Sequence, residues 1–221
     1  MSTTNRRVRH ALILAHGDPP SLERLRRLRY EADLFIATDG AANELPGVLI
    51  PDVVLGDFDS LSPKTRKRMP GAEFVHAPDQ DHSDLQKAIE FAQGKGFRRI
   101  TIAGATGGRI DHTLASFSLL YTYAGRLNMR VVGDSLEAWA VRGAAKVAGN
   151  PGDTISLIAF EPAIVTIEGV HWPLGRARLV PGSLGMSNRM TEKMARIRVD
   201  EGTVIVVHLG QEAVGAPNET R

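Results

Sequence analysis

The stretch Ile100-Thr101-Ile102-Ala103-Gly104-Ala105-Thr106-Gly107-Gly108-Arg109-Ile110-Asp111-His112 runs from an apolar segment, through a glycine-rich turn, into a helical pattern that starts near His112. Ile100–Ala103 suits a buried strand, and His112–Ala124 suits a helix. A glycine-rich turn between strand and helix lets backbone N–H groups approach an anion, and Arg109 adds a forked, permanent positive charge. The pattern is not a Walker A loop, since no Gly-Lys-Ser/Thr follows, and it does not fit G-x-G-x-x-G. Two readings stand: a phosphate-contacting turn, or a plain turn in which Asp111 caps the helix. The Gly107-Gly108-Arg109 core favours phosphate, with His112 kept as a candidate whose other reading is a local hydrogen bond.

The same alternation extends outward. Ala11–Ala15, Leu34–Ala37, Val53–Leu55, Phe74–His76 and Met129–Val132 read as further strands. Ser21–Tyr30, Ser62–Met69 and Ser83–Gln93 read as the helices between them. Strands alternating with helices predict a parallel, Rossmann-like α/β domain over residues 1–134, with ligands bound beyond the carboxyl ends of its strands. After Asp134 the texture changes to short β-branched runs: Leu136–Val141, Thr154–Phe160, Ile164–Ile167, Ala195–Val199 and Thr203–His208. Gly, Pro and Asp separate them, which predicts a smaller antiparallel β domain over 135–210, a sandwich or barrel. Residues 211–221 read as a frayed polar tail.

Acidic residues gather at the predicted strand ends. In Val53-Val54-Leu55-Gly56-Asp57-Phe58-Asp59-Ser60 two carboxylates stand two apart, and in an extended chain they share a side. Such a pair attracts a hard divalent ion, Mg²⁺ above all, with substrate phosphates completing its shell. The other reading is an acidic loop with an Asx-turn. In Asp79-Gln80-Asp81-His82-Ser83-Asp84, Asp81 stands where a helix N-cap belongs, with Asp84 three residues on. Capping accounts for one or two of these acids and leaves a metal or substrate role for the others. Acids beside a glycine–arginine loop are the equipment of phosphoryl-type transfer.

Composition narrows the class. The chain has 221 residues, a formal net charge of +2 and no cysteine, which excludes disulfides and thiolate metal sites and fits a cytoplasmic location. No apolar run approaches the roughly 18 residues of a membrane span. Ala11–Ala15, though preceded by Arg6, Arg7 and Arg9, is too short for a signal sequence and reads as a first strand. The basic clusters Arg24–Arg29 and Lys64–Arg68 lack interleaved aromatics, so they read as solvated helix faces and not as a nucleic-acid surface.

Taken in order, Asp39-Gly40-Ala41-Ala42-Asn43, Gly56-Asp57-Phe58-Asp59-Ser60, Asp81-His82-Ser83-Asp84, Gly107-Gly108-Arg109-Ile110-Asp111-His112 and Gly182-Ser183-Leu184-Gly185-Met186-Ser187-Asn188 resemble the motifs of the thiamine pyrophosphokinase family. The resemblance runs from about Ala11 to His208. It implies an α/β domain followed by a β domain, a homodimer with sites at the subunit contact, and transfer of the pyrophosphoryl group of ATP to the hydroxyl of thiamine with release of AMP. It further implies that Asp57, Asp59 and Asp81 hold Mg²⁺ on the ATP phosphates, and that Arg109 with the Gly107-Gly108 backbone faces the nucleotide. Asp39, Asp84 and Asp111 would belong to the same pocket. Ser187 and Asn188 would contact thiamine, and Trp172 stands where the family often has an aromatic residue, suited to a cationic thiazolium ring. Ordinary packing is the other reading of Trp172, and Trp139 reads as core. The chain departs from the family pattern at Ser83, where Thr is common, and at Ser116, where Asn is common.

Three other functions fit parts of the pattern. A pyrophosphokinase acting on another heteroaromatic alcohol, such as a hydroxymethylpterin, shares the phosphate equipment. A glycosyltransferase with an Asp-x-Asp metal site explains Asp57 and Asp59 but gives Gly107-Gly108-Arg109 no role. A non-catalytic nucleotide-binding protein is the third.

Overall fold

The computed structural model describes residues 8–210; the tail expected to fray, from Gln211 on, lies outside them. The chain divides into two compact units. The described residues up to Ser116, with Leu127–Met129, form the first, and Phe117–Arg126 with the described residues from Arg130 form the second.

In the first unit, strands β1 (His10–Leu14), β2 (Leu34–Thr38), β3 (Val53–Gly56), β4 (Glu73–His76) and β5 (Arg99–Ala103) alternate with helices α1 (Leu22–Glu31), α2 (Asp39–Glu44), α3 (Pro63–Arg68) and α4 (Asp84–Gly94). The strands are parallel, in the order β4-β3-β2-β1-β5. All five residues of β1 are buried, as expected of a parallel strand covered on both faces. Helix α5 (Ile110–Thr122) follows β5. Serines open three helices. Ser21, Ser62 and Ser83 accept from the N–H groups of Arg24, Thr65 and Gln86 at 3.4, 3.1 and 3.3 Å, each satisfying an otherwise orphaned donor. The cap of α4 is therefore Ser83 and not the expected Asp81. Likewise α5 starts at Ile110, which places Asp111 inside its first turn and not at its cap. Helix α2 has no counterpart in the sequence reading, because its six residues are too few to carry a periodicity.

His10 is only 2% exposed. Its Nδ1 lies 3.2 Å from the Glu31 carbonyl oxygen and its Nε2 2.8 Å from the Thr101 hydroxyl. Burial pushes its pKa below the ordinary 6.5. The unfolded chain then takes up this proton first on acidification. The contribution of neutral His10 to stability is complete above about pH 6.5 and falls as pH drops from there toward the folded-state value. Urea midpoints at pH 7.5 and 5.5 should therefore separate more for the wild type than for His10→Asn. Equal separation would exclude His10 as the source.

The second unit is built on two long antiparallel strands, β7 (Leu136–Ala148) and β12 (Met194–Leu209), with β6 (Asn128–Val132) pairing β7 at Val131 and Val132. Strand β12 also pairs β9 (Ala163–Glu168) through its first half and β8 (Thr154–Ile158) through its second. Strand β10 (Leu174–Leu179) completes one side against β9, and the short β11 (Asn188–Arg189) pairs β8. The sequence suggests two separate runs, Ala195–Val199 and Thr203–His208, where the chain has one strand. Its register shifts between Val199 and Val204, and Gly202, at φ +82°, absorbs the irregularity. A Cβ at that position would stand 2.7 Å from the Pro162 carbonyl oxygen, so only glycine fits. Inward residues of these strands form one core that includes Val141, Ile155, Val165, Ile197 and Val206. Trp139 belongs to it, 9% exposed, as its sequence context suggested.

Candidate active site

In the first unit the loops leaving β1, β2, β3, β4 and β5 gather at the carboxyl ends of the strands, the usual ligand edge of a parallel α/β sheet. A cavity of about 820 Å³ lies there, within the range of small-molecule sites. Asp39, Asp84, Gly107, Gly108, Arg109 and Asp111 line it, so all the residues assigned to the nucleotide meet at one place. His112 lines it as well. Asp57, Asp59 and Asp81 stand on the loops beyond β3 and β4 and are not part of its lining.

Asp39 organises the site. It is 3% exposed and starts α2 directly at the end of β2. Its Oδ1 accepts from Gly40 N–H at 2.6 Å, and its Oδ2 accepts from Phe58 N–H at 3.1 Å. Burial raises its pKa, and the carboxylates of Asp84 and Asp57 push it further in the same direction. Both neighbouring carboxylates thus disfavour the charged form of Asp39, an effect that a cation beside them relieves. Gly56 makes the approach possible, since a Cβ there would sit 2.6 Å from the Asp39 carboxyl carbon.

Strand alternation does not orient Asp57 and Asp59. Strand β3 ends at Gly56, and Phe58 adopts a left-handed conformation at φ +68°. Its ring stacks on His76 at 5.5 Å and meets Phe74 edge-on at 6.2 Å, contacts that hold a conformation non-glycine residues rarely adopt. Asp57 Oδ1 accepts from Asp59 N–H at 3.1 Å, and Gln80 Nε2 donates to Asp57 Oδ2 at 3.1 Å. These bonds hold the Asp57 carboxyl below its ordinary range, the Asp59 N–H contributing most. The Asx-turn and the acidic pair are thus both present in the same residues. Asp81 is exposed, and its N–H donates to Asp79 Oδ1 at 2.9 Å. Asp79 also meets His82 Nδ1 at 2.6 Å, which lowers the Asp79 pKa and raises that of His82. Among the described residues no three His, Cys, Asp or Glu side chains converge at coordinating distance. The available donors are nonetheless hard carboxylate oxygens on adjacent loops, the chemistry that Mg²⁺ takes when substrate oxygens and water complete its shell.

In the lining of the same cavity, Gly107 and Gly108 have φ of +78° and +58°. Arg109 forks onto Asp111, with Nε to Oδ1 at 3.1 Å and Nη2 to Oδ2 at 2.6 Å. This pairing, on the surface of the site, holds the Asp111 pKa at about 2 and orients the guanidinium. Two contributors escaped the sequence reading. His16, Gly17 and Asp18, beyond β1, line the cavity, and the only local signal for them is a glycine at a strand end. Gly17 and Asp18 N–H groups donate to the carbonyls of Gly104 and Thr106, both at 2.7 Å, and Asp18 fills the space where a Gly107 side chain would project. Lys87, one turn into α4, brings its Nζ to 3.0 Å from both Asp84 Oδ1 and the Ala77 carbonyl oxygen.

In the second unit Asn188 is 5% exposed, and its side chain is fully engaged. Oδ1 accepts from the N–H groups of Trp172 and Arg189 at 3.0 and 2.9 Å, and Nδ2 donates to the Trp172 carbonyl at 2.6 Å. Ser187, at φ +56°, donates its N–H to Ser156 Oγ at 2.9 Å. The Trp172 ring, 57% exposed, stands edge-on to His171 at 4.4 Å.

Fold and pocket together define an α/β protein with a polar ligand site across its strand ends and an antiparallel β unit following it. The model of the thiamin pyrophosphokinase catalytic domain matches residues 25–132, and that of the thiamin pyrophosphokinase vitamin B1 binding domain matches residues 145–204. The thiamine pyrophosphokinase of Bacillus subtilis is 28% identical over 205 residues, covering 88% of this chain and 96% of that one. Thiamin pyrophosphokinase 1 of Caenorhabditis elegans is 32% identical over 134 residues, 56% of this chain and 54% of its own length, about half. The crystal structure of the Bacillus subtilis thiamine pyrophosphokinase superposes with a TM-score of 0.79 at 25% identity, covering 92% of this chain and all of that one. Yeast thiamin pyrophosphokinase, at 16% identity and a TM-score of 0.80 over 96% of this chain, shares the fold. The chain belongs to the thiamin pyrophosphokinase family, an enzyme family whose catalytic and vitamin-binding domains both have their counterparts here.

Proposed function

We propose that this protein transfers the pyrophosphoryl group of ATP to the hydroxyl of thiamine, forming thiamine diphosphate and AMP with the help of Mg²⁺. The observation that carries this reading is that Asp39, Asp84 and the Gly107-Gly108-Arg109 loop line one cavity, in a chain that matches both domains of the family. In the reaction the thiamine hydroxyl oxygen bonds to the β-phosphorus, the bond from that phosphorus to the α,β-bridging oxygen breaks, AMP leaves and the hydroxyl proton is lost. Asp57, Asp59 and Asp81 would hold Mg²⁺, which neutralises polyphosphate charge when bound. The Gly107 and Gly108 backbone and Arg109 bind phosphate oxygens, Asp111 keeps the guanidinium fork in place, and Asp39 braces the Asp57 loop through Phe58 N–H. Incubation with ATP, Mg²⁺ and candidate alcohols tests the assignment. Thiamine-dependent AMP formation supports it, whereas AMP formed only with a hydroxymethylpterin, sugar transfer, or nucleotide binding without turnover would each replace it.

The thiamine ring is assigned to Trp172, with Ser187 and Asn188 beside it and a homodimer supplying the complete site. Asn188 acts through the tryptophan, because its polar atoms are engaged by the main chain. Asn188→Ala should therefore raise the apparent KM for thiamine about tenfold, the effect of losing a buried hydrogen bond, and leave ATP binding unchanged. Initial rates and calorimetry check this, and combining it with Trp172→Ala should add little. Additive losses would assign Asn188 a separate role. Sedimentation showing a fully active monomer would exclude the shared site.

A further inference from the structure

In the second unit one buried acid has no role in the reaction described above. Asp153, 3% exposed, stands just before β8. Its Oδ2 lies 3.1 Å from Nε2 of His208 on β12 and accepts from Asn150 N–H at 2.8 Å. A carboxylate only accepts, so the imidazole carries a proton on Nε2. Gly149 lets the two side chains meet. A Cβ there would stand 2.8 Å from Asp153 Oδ2, 2.9 Å from His208 Nε2 and 2.8 Å from Met190 Sδ, too close for any of the three to stay in place. The main chain around this pair is bonded to the segment that follows Asn188. Met190 N–H donates to the Asp153 carbonyl at 2.9 Å, Gly152 N–H to the Met190 carbonyl at 2.8 Å, and Gly149 N–H to the Lys193 carbonyl at 3.1 Å. On its other side the same segment holds the residues leading to Trp172. Val170 bridges to Met190, Thr191 N–H donates to the Gly169 carbonyl at 3.0 Å, and His171 N–H donates to the Arg189 carbonyl at 2.8 Å.

We propose that Asp153 and His208 are positioning residues for the thiamine ring, an inference that rests on the assignment of that ring to Trp172 above. Asn188 closes on the Trp172 main chain, yet its strand β11 pairs β8 over only two residues, fewer than a strand needs to hold its own place. The Asp153–His208 pair supplies the missing anchor. It ties the Gly149–Asp153 turn to β12, the strand that pairs β7, β8 and β9. The turn in turn fixes Met190 by two main-chain bonds. Without His208, the buried Asp153 carboxylate would lose a charge-assisted partner and the turn would loosen. The pair acts through Met190 and Asn188, so it sets how tightly thiamine is held and leaves the phosphate chemistry of the first unit untouched.

Initial rates with thiamine and ATP varied in turn test this on the full chain. His208→Ala removes the donor, whereas Gly149→Ala keeps both side chains and drives them apart. Each should raise the apparent KM for thiamine about five- to tenfold, with kcat and the KM for ATP within about twofold of wild type. His208→Gln, whose Nε2 donates from a similar reach, should recover most of the loss. A role in stability alone gives a different result, because it lowers the active fraction, and so the apparent kcat, at an unchanged KM. That result, or an unchanged thiamine KM in whichever of His208→Ala and Gly149→Ala folds, would overturn the positioning role. If Asn188→Ala and Trp172→Ala still raised the thiamine KM, the assignment of the ring to Trp172 would stand. An unchanged KM in those two variants as well would overturn both.

Discussion

Asp57→Asn should lower thiamine-dependent AMP release by about 10²–10³-fold, the usual loss when one preorganised charge is removed from a site that stabilises phosphoryl transfer. The fold should survive. Asp57 belongs to a turn at the surface end of β3; an asparagine Oδ1 keeps the bond from Asp59 N–H, and its amide NH₂ can donate to the Gln80 side-chain oxygen once the exposed Gln80 amide turns over. Removing the charge also relieves Asp39, whose pKa the Asp57 carboxylate helps to raise; the Asp39 value should fall toward its ordinary range in the variant. Turnover at saturating Mg²⁺, thermal melting and the Asp39 carboxyl chemical shift as a function of pH measure the three effects. Near-normal turnover would remove Asp57 from the metal site.

Arg109→Ala should lower turnover about 10²-fold and weaken ATP, with no effect on melting, since both Arg109 and Asp111 lie at the surface. Arg109→Lys should recover only part of the loss, because an ammonium cannot reproduce a bidentate fork. The Asp111 pKa supplies an independent readout. Arg109 holds it at about 2, so in the wild type Asp111 stays ionised throughout the neutral and mildly acidic range. In Arg109→Ala it should rise toward the ordinary carboxylate value. A rise without loss of turnover would make the Arg109–Asp111 pair a surface contact and not a phosphate clamp.

The sequence by itself determined the local parts of this protein. The period of strands and helices, the glycine-rich turn after β5, the change of texture after Asp134 and the core position of Trp139 all rest on neighbours within a few residues, where composition and spacing speak directly. The ordered motifs pointed to the family for the same reason. Only the tertiary structure decided how those parts meet. Asp39 bonds Phe58 N–H nineteen residues on, Asp18 occupies the space beside Gly107, and the Asn188 side chain closes on the Trp172 main chain. No periodicity encodes such contacts, because each depends on two loops brought together by the sheet that lies between them. The direction of Asp57 and Asp59 belongs to the same class. An extended chain would have aimed them by alternation, but the left-handed Phe58 is held by rings on β4, so strand packing and not strand geometry sets where those carboxylates point.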